Sequence, residues 1–288
     1  VDEVKVLLDN GANSSLRNTA GESPLDIAVL RGHANVVKAL LERGAVVDLA
    51  NDQQNTALHH AAWNGSSNET LTELLERGAN TSLRNSGGTT PLDIAVLRGH
   101  VHVLKSFLEH GAAVNLANEQ NNTALHHAAW HGAVEVVKVL LDHGANSSLR
   151  NIAGESPLDM AVVRGHPHAV KALLESGAVV NLANDQNNTA LHHAAWNGAP
   201  DEIIKALLEG GANASLRNSG GATPLDIAVL RGHVDVVKSL LGHGAPVNLA
   251  NEQKNTALHH AAWHGAVEAV KVLLDHGANS NLRNIAGE

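Results

Sequence analysis

Histidine is the residue with the most chemical potential in this sequence, at 20 of 288 positions. Eight of the twenty form adjacent pairs: His59-His60, His126-His127, His192-His193 and His259-His260. An imidazole can ligate a metal, carry a proton or hydrogen-bond the backbone. Neighbouring helical residues project about 100° apart, so one pair does not readily close on one ion, and a zinc site needs several converging ligands. There is no cysteine to complete such a set. The sequence therefore predicts no metal site and no cofactor, with the first histidine of each pair in a structural hydrogen bond. Catalytic signatures are missing too. No Gly-x-Ser-x-Gly, His-Glu-x-x-His, phosphate loop or dinucleotide fingerprint occurs. Asn51-Asp52-Gln53-Gln54-Asn55 lacks the central glycine and bidentate glutamate of a calcium loop. Four copies of the same residues are also unlike the single unequal constellation that catalysis requires, so the chain is not expected to be an enzyme.

The elements that carry these residues repeat. Ser23-Pro24-Leu25-Asp26-Ile27-Ala28 recurs from Thr90, Ser156 and Thr223, and Thr-Ala-Leu-His-His-Ala-Ala-Trp begins at Thr56, Thr123, Thr189 and Thr256. The shared leucine falls at 25, 58, 92, 125, 158, 191, 225 and 258, in steps of 33 or 34. An Asp type thus alternates with a Trp type, and the four-repeat block recurs after 133 residues, the mark of a duplication. Expected boundaries are a partial repeat at 1–22 and full-length repeats at 23–55, 56–89, 90–122, 123–155, 156–188, 189–222, 223–255 and 256–288.

Each repeat reads as two short helices. Ser23 or Thr90 caps the first, and the following proline sits where its missing N–H costs nothing. Gly32 stops that helix. Val36, Val37, Leu40 and Leu41 form the apolar stripe of the second, Gly44 suits a left-handed terminus, and residues 45–55 leave room for a hairpin-like loop. Some thirty residues bury too little surface to fold alone, so neighbouring repeats must share a core.

These motifs resemble the ankyrin-repeat signature Thr-Pro-Leu-His-x-Ala, with Gly-His after the first helix and Gly-Ala-Asn after the second (Gly11, Gly78, Gly144, Gly211, Gly277). The resemblance covers essentially the whole chain. It implies an all-α solenoid of paired antiparallel helices with hairpin-like connecting loops in a superhelical stack. Two departures stand out. The signature His is Asp in every Asp-type repeat, and the signature Pro is Ala57, Ala124, Ala190 or Ala257 in the Trp type.

Because Asp26 and His59 hold equivalent positions in successive repeats, a ladder of alternating carboxylate and imidazole is expected. If they interact, the charged imidazole is favoured and stability falls as pH rises through the histidine pKa values. In the alternative, each Asp only caps its own helix.

The resemblance also implies a concave, partner-facing surface at the first-helix exits. Here those positions are Leu30-Arg31, Trp63-Asn64, Leu97-Arg98, Trp130-His131, Val163-Arg164, Trp196-Asn197, Leu230-Arg231 and Trp263-His264. Arg and Trp are frequent interface anchors, although Arg could equally stack on Trp within the chain. The expected function is a scaffold binding a protein partner through this groove. The alternative is a structural protein whose uncapped, near-identical repeats stack end to end with further copies of itself into a filament, or continue into a longer array.

Composition narrows the partners. Net charge is −9, with no basic surplus for phosphate backbones, so nucleic acid is not expected. No apolar run approaches the roughly 20 residues of a membrane span. Asn-x-Ser/Thr acceptor motifs occur at Asn13, Asn64, Asn68, Asn80, Asn121, Asn146, Asn187 and Asn213. They would carry glycan if the chain is extracellular, whereas family resemblance points to the cytoplasm; turn chemistry is the plainer explanation.

Overall fold

The structure is a computed structural model that describes residues 2–288. Among these there are seventeen helices and no strand. They are α1 Asp2–Asp9, α2 Pro24–Leu30, α3 Ala34–Glu42, α4 Ala57–Asn64, α5 Asn68–Glu76, α6 Pro91–Arg98, α7 Val101–Glu109, α8 Ala124–Trp130 and α9 Val134–Asp142, followed by α10 Pro157–Val163, α11 Pro167–Glu175, α12 Ala190–Asn197, α13 Asp201–Glu209, α14 Pro224–Arg231, α15 Val234–Gly242, α16 Ala257–Trp263 and α17 Val267–Asp275. Contacts divide the chain into two units, Val1–Ala128 with Glu135–Asn146, and Ala129–Val134 with Ser147–Glu288. Each is built from the helix pairs of the all-α solenoid class.

Within each unit, packing joins a helix to its pair mate and to its equivalent one repeat away: α2 with α3 and α4, α3 with α5, α12 with α14, α13 with α15. The reason lies in the apolar stripes. Val37, Leu40 and Leu41 of α3 are buried, as are Val103, Leu104 and Phe107 of α7 and Ile203, Ile204 and Leu207 of α13. The first helices contribute the signature leucines, with Leu58, Leu125 and Leu191 inaccessible to solvent. Val36, read as part of the stripe, is only half-buried.

Local chemistry sets the helix ends. The N–H of Asp26 donates to Ser23 Oγ at 3.2 Å, and Ser23 N–H donates to Asp26 Oδ2 at 2.9 Å. The same reciprocal box holds at Thr90/Asp93, Ser156/Asp159 and Thr223/Asp226. Gly32 and Gly44 adopt φ +71° and +83°, as a left-handed stop requires. The loop after each second helix forms a tight turn rather than a strand pair: Asn51 N–H donates to Asn55 O at 2.8 Å, with Gln54 at φ +58°. Successive loops are tied together by Ser86 N–H to Gln53 O at 2.9 Å in the first unit, and by Ser219 N–H to Gln186 O at 2.8 Å in the second.

Candidate partner-binding surface

The signature position shows why Asp and His can alternate. His59 is buried, and its Nδ1 accepts the Thr56 N–H at 3.0 Å and lies 2.9 Å from Thr56 Oγ1. It therefore closes the same capping box as Asp26, and His126, His192 and His259 do likewise. The structural role expected for the first histidine is the one observed. Because Nδ1 accepts a backbone N–H, the ring proton sits on Nε2, which donates to Thr89 O, at the end of the loop that leads into α6, at 3.2 Å. An Asp at this position has no second arm to make that link.

The expected carboxylate–imidazole ladder is corrected accordingly. Asp26 Oδ2 caps its own helix, while Oδ1 lies 4.0 Å from Nε2 of His60, the second histidine, and not of His59. Burial, ahead of all other influences, pushes the His59 and His192 pKa values down to about 4. These imidazoles are neutral in the fold, so the stability trend anticipated from the sequence has the opposite sign.

At the first-helix exits, Arg98 lies 4.1 Å from the Trp63 ring centroid in the first unit; in the second, Arg164 and Arg231 lie 4.3 Å from those of Trp130 and Trp196. These are cation–π distances. Each stack places an Asp-type arginine on the tryptophan of the preceding repeat. The rings stay accessible: Trp63 and Trp196 keep 54% and 53% exposure, and Trp263 has 79%. Leu97 and Leu230 are exposed beside them, while Leu30, Trp130 and Val163 are half-buried. Arg31, Asn64, Arg98, His131, Arg164, Asn197, Arg231 and His264 are all exposed. Asn64 Nδ2 donates to Leu30 O at 3.1 Å, which ties two of these exits together.

A second contact to each of the three stacked tryptophans was not foreseen. Nε2 of His100 lies 3.2 Å from Trp63 O, that of His166 3.0 Å from Trp130 O, and that of His233 3.1 Å from Trp196 O. The recurring Arg-Gly-His tripeptide thus grips one residue twice, guanidinium on the ring and imidazole on the carbonyl. The glycine after the Trp-type helix makes room for it. A Cβ on Gly132 would stand 2.7 Å from the His166 ring, at a backbone φ of +65°. Gly132→Ala is expected to cost about 1–3 kcal/mol, read as a lower urea midpoint; an unchanged midpoint contradicts the close fit.

In the first unit, the exits and the loops enclose an open recess of about 430 Å³. Leu30, Trp63, Ile94 and Leu97 give it apolar walls, and Gln53, Asn55, Asn85 and His60 supply polar groups. Asn85 Nδ2 donates to Asn55 Oδ1 at 2.9 Å across the repeat boundary. The loop residues escaped the sequence reading because nothing local marks which loop folds over which helix. No cluster of side chains that could hold a metal exists among the described residues, and no described helix is long and apolar enough to cross a membrane.

The acceptor asparagines fall mainly in turns. Asn13, Asn80 and Asn213 each accept the backbone N–H two residues on, at 2.8–2.9 Å, and all are exposed, as is Asn146. Asn121 and Asn187 adopt φ of +58° and +56°, a conformation asparagine tolerates well. Asn68 opens α5.

The family model described as ankyrin repeats (3 copies) matches residues 1–85, 64–151, 146–218 and 197–284. This chain belongs to the ankyrin-repeat family. Its backbone is similar to the ankyrin-repeat domain of Bcl-3, a member of the IkappaB protein family, with a TM-score of 0.67 and 25% identity over 88% of this chain and 99% of that one. It is also similar to the human ASB11 ankyrin-repeat domain, with a TM-score of 0.63 and 30% identity over 78% of this chain and 99% of that one. A relative by sequence is the Caenorhabditis elegans homolog of transient receptor potential cation channel subfamily A member 1, 35% identical over 104 residues, which are 36% of this chain and 8% of that protein. The curated relatives it matches first extend well beyond the aligned region, which is about a third or less of their length. Ankyrin repeats are in general protein–protein interaction scaffolds.

Proposed function

We propose that the chain is a non-enzymatic scaffold that binds a protein partner through the first-helix exits of each unit. The observation that carries this reading is the exposure of Trp63 and Trp196, each roughly half accessible although an arginine already covers part of the ring. Large aromatic rings held in place at the surface lose little side-chain freedom on binding, which suits them as anchors. The recess beside Trp63 offers a site for a partner side chain, and its amides can hydrogen-bond an extended backbone.

A photo-crosslinking residue at position 63 or 196, compared with one at Lys138 or Lys238 on the second helices, tests the assignment in native extract. Protein adducts concentrated at 63 and 196 are expected. Equal crosslinking from both faces would remove the groove as the binding surface.

A second reading draws on the near identity of the two 133-residue blocks. Partner binding tends to drive groove residues of different repeats apart, whereas end-to-end stacking places every repeat in the same environment. Electron microscopy of native material separates the two: filaments favour stacking, discrete particles the scaffold.

A further inference from the structure

Charge is sorted between the two helices of each repeat. The only carboxylates in the first helices are Asp26, Asp93, Asp159 and Asp226, and all four are buried as helix caps. The exposed acids of the helices lie on the second helices. Several of them ion-pair with lysine, as in Lys238–Asp235 at 3.5 Å and Lys271–Glu268 at 2.8 Å. The arginines at the first-helix exits have no such neighbour. Among the described residues, Arg31 and Arg98 of the first unit and Arg164 and Arg231 of the second make no ion pair, although Arg17, Arg43 and Arg217 do. A protein of net charge −9 thus keeps, in each unit, unneutralised arginines where its tryptophans are exposed.

We infer that the partner presents an acidic segment, with carboxylates interleaved with apolar side chains, to the first-helix exits. This rests on the groove reading above and adds the chemistry of its occupant. A guanidinium held against an indole keeps its N–H donors for a carboxylate, which it can grip with two parallel bonds. Apolar side chains of the same segment fit against Leu97, Leu230 and the exposed faces of the tryptophans. The loop tips carry carboxylates of their own, Glu22 at the recess and Asp52 and Glu119 nearby in the chain. The attraction is therefore local to the exits, since exposed charges are screened beyond about 10 Å at ordinary salt. A nucleic-acid backbone, charged at every step, would have to run past those acids, and its compensation by a few separated arginines is poor.

Selection of a random peptide display library on the intact chain, with tryptophan fluorescence as the readout of groove binding, tests this directly. Peptides that shift the fluorescence are expected to carry a surplus of Asp and Glu among apolar residues. Their affinity should fall roughly tenfold in Arg31→Gln/Arg98→Gln and in Arg164→Gln/Arg231→Gln, and on raising salt from about 0.05 to 0.5 M with the wild-type chain. The salt series needs no variant and holds if the substituted chains misfold. Fluorescence-active peptides that are neutral or basic, affinities indifferent to salt, or tighter binding of a single-stranded oligonucleotide would each overturn the acidic segment while leaving the groove. If no peptide moves the fluorescence, the groove reading itself fails.

Discussion

Phe107→Ala will lower the unfolding free energy by about 3–5 kcal/mol, whereas Phe107→Leu will cost less than about 1.5 kcal/mol. Phe107 is the only phenylalanine in the chain and is inaccessible to solvent on α7. At the same place on the other second helices stand Leu40, Leu74, Leu140, Leu173, Leu207, Leu240 and Leu273, all buried. A leucine at 107 is therefore a shape the repeat already accommodates, while alanine leaves a void that neighbouring repeats close only in part. Because stability sums repeat and interface terms, the loss should appear as a shifted urea midpoint with the fold retained. Similar midpoints for the two variants would mean that the packing around Phe107 is looser than described.

The second large effect is on pH. His59 and His192 have folded pKa values near 4, against about 6.5 for the free side chain. A depressed folded value means that the unfolded chain takes the proton first. The contribution is complete above pH 6.5 and is lost as pH falls toward 4. Linkage makes it on the order of 3 kcal/mol for each imidazole. The geometry states the same thing: a proton on His59 Nδ1 would meet the Thr56 N–H that it now accepts. Asp26 and Asp159, whose values burial raises, act in the opposite sense and return part of the loss at the acid end. The net expectation is a urea midpoint distinctly lower at pH 4.5 than at pH 7, with the His59 and His192 rings still neutral by NMR at pH 5.5. Equal midpoints, or rings that titrate near 6.5, would refute it.

Much of the fold was legible because it is written locally and repeated. Ser23-Pro24 announces a helix start, Gly32 and Gly44 its ends, and the spacing of Val37, Leu40 and Leu41 its buried face. The Trp and Arg positions of the candidate surface follow from the same repetition once the family resemblance is granted. What could not be read is the pairing of groups about one repeat apart. Nothing in the sequence tells whether His59 or His60 faces Asp26, nor that burial lowers the pKa of both imidazoles. Nor does the Arg-Gly-His tripeptide disclose that its imidazole reaches a carbonyl 36 or 37 residues earlier. Proximity to a carboxylate suggested a charged histidine, but burial and the capping bond outweigh it at His59.

The double hold on Trp63, Trp130 and Trp196 also governs how such a gene can grow or shrink. An Asp-type repeat reaches back to the indole of the Trp-type repeat before it. Excising one repeat would set two of a kind side by side, leaving either an arginine and an imidazole facing a helix exit without a ring or an indole without its two partners. Excising two in succession would rejoin compatible faces. Viable length variants should therefore differ by whole couplets, and recombination breakpoints should lie about 66 or 67 residues apart.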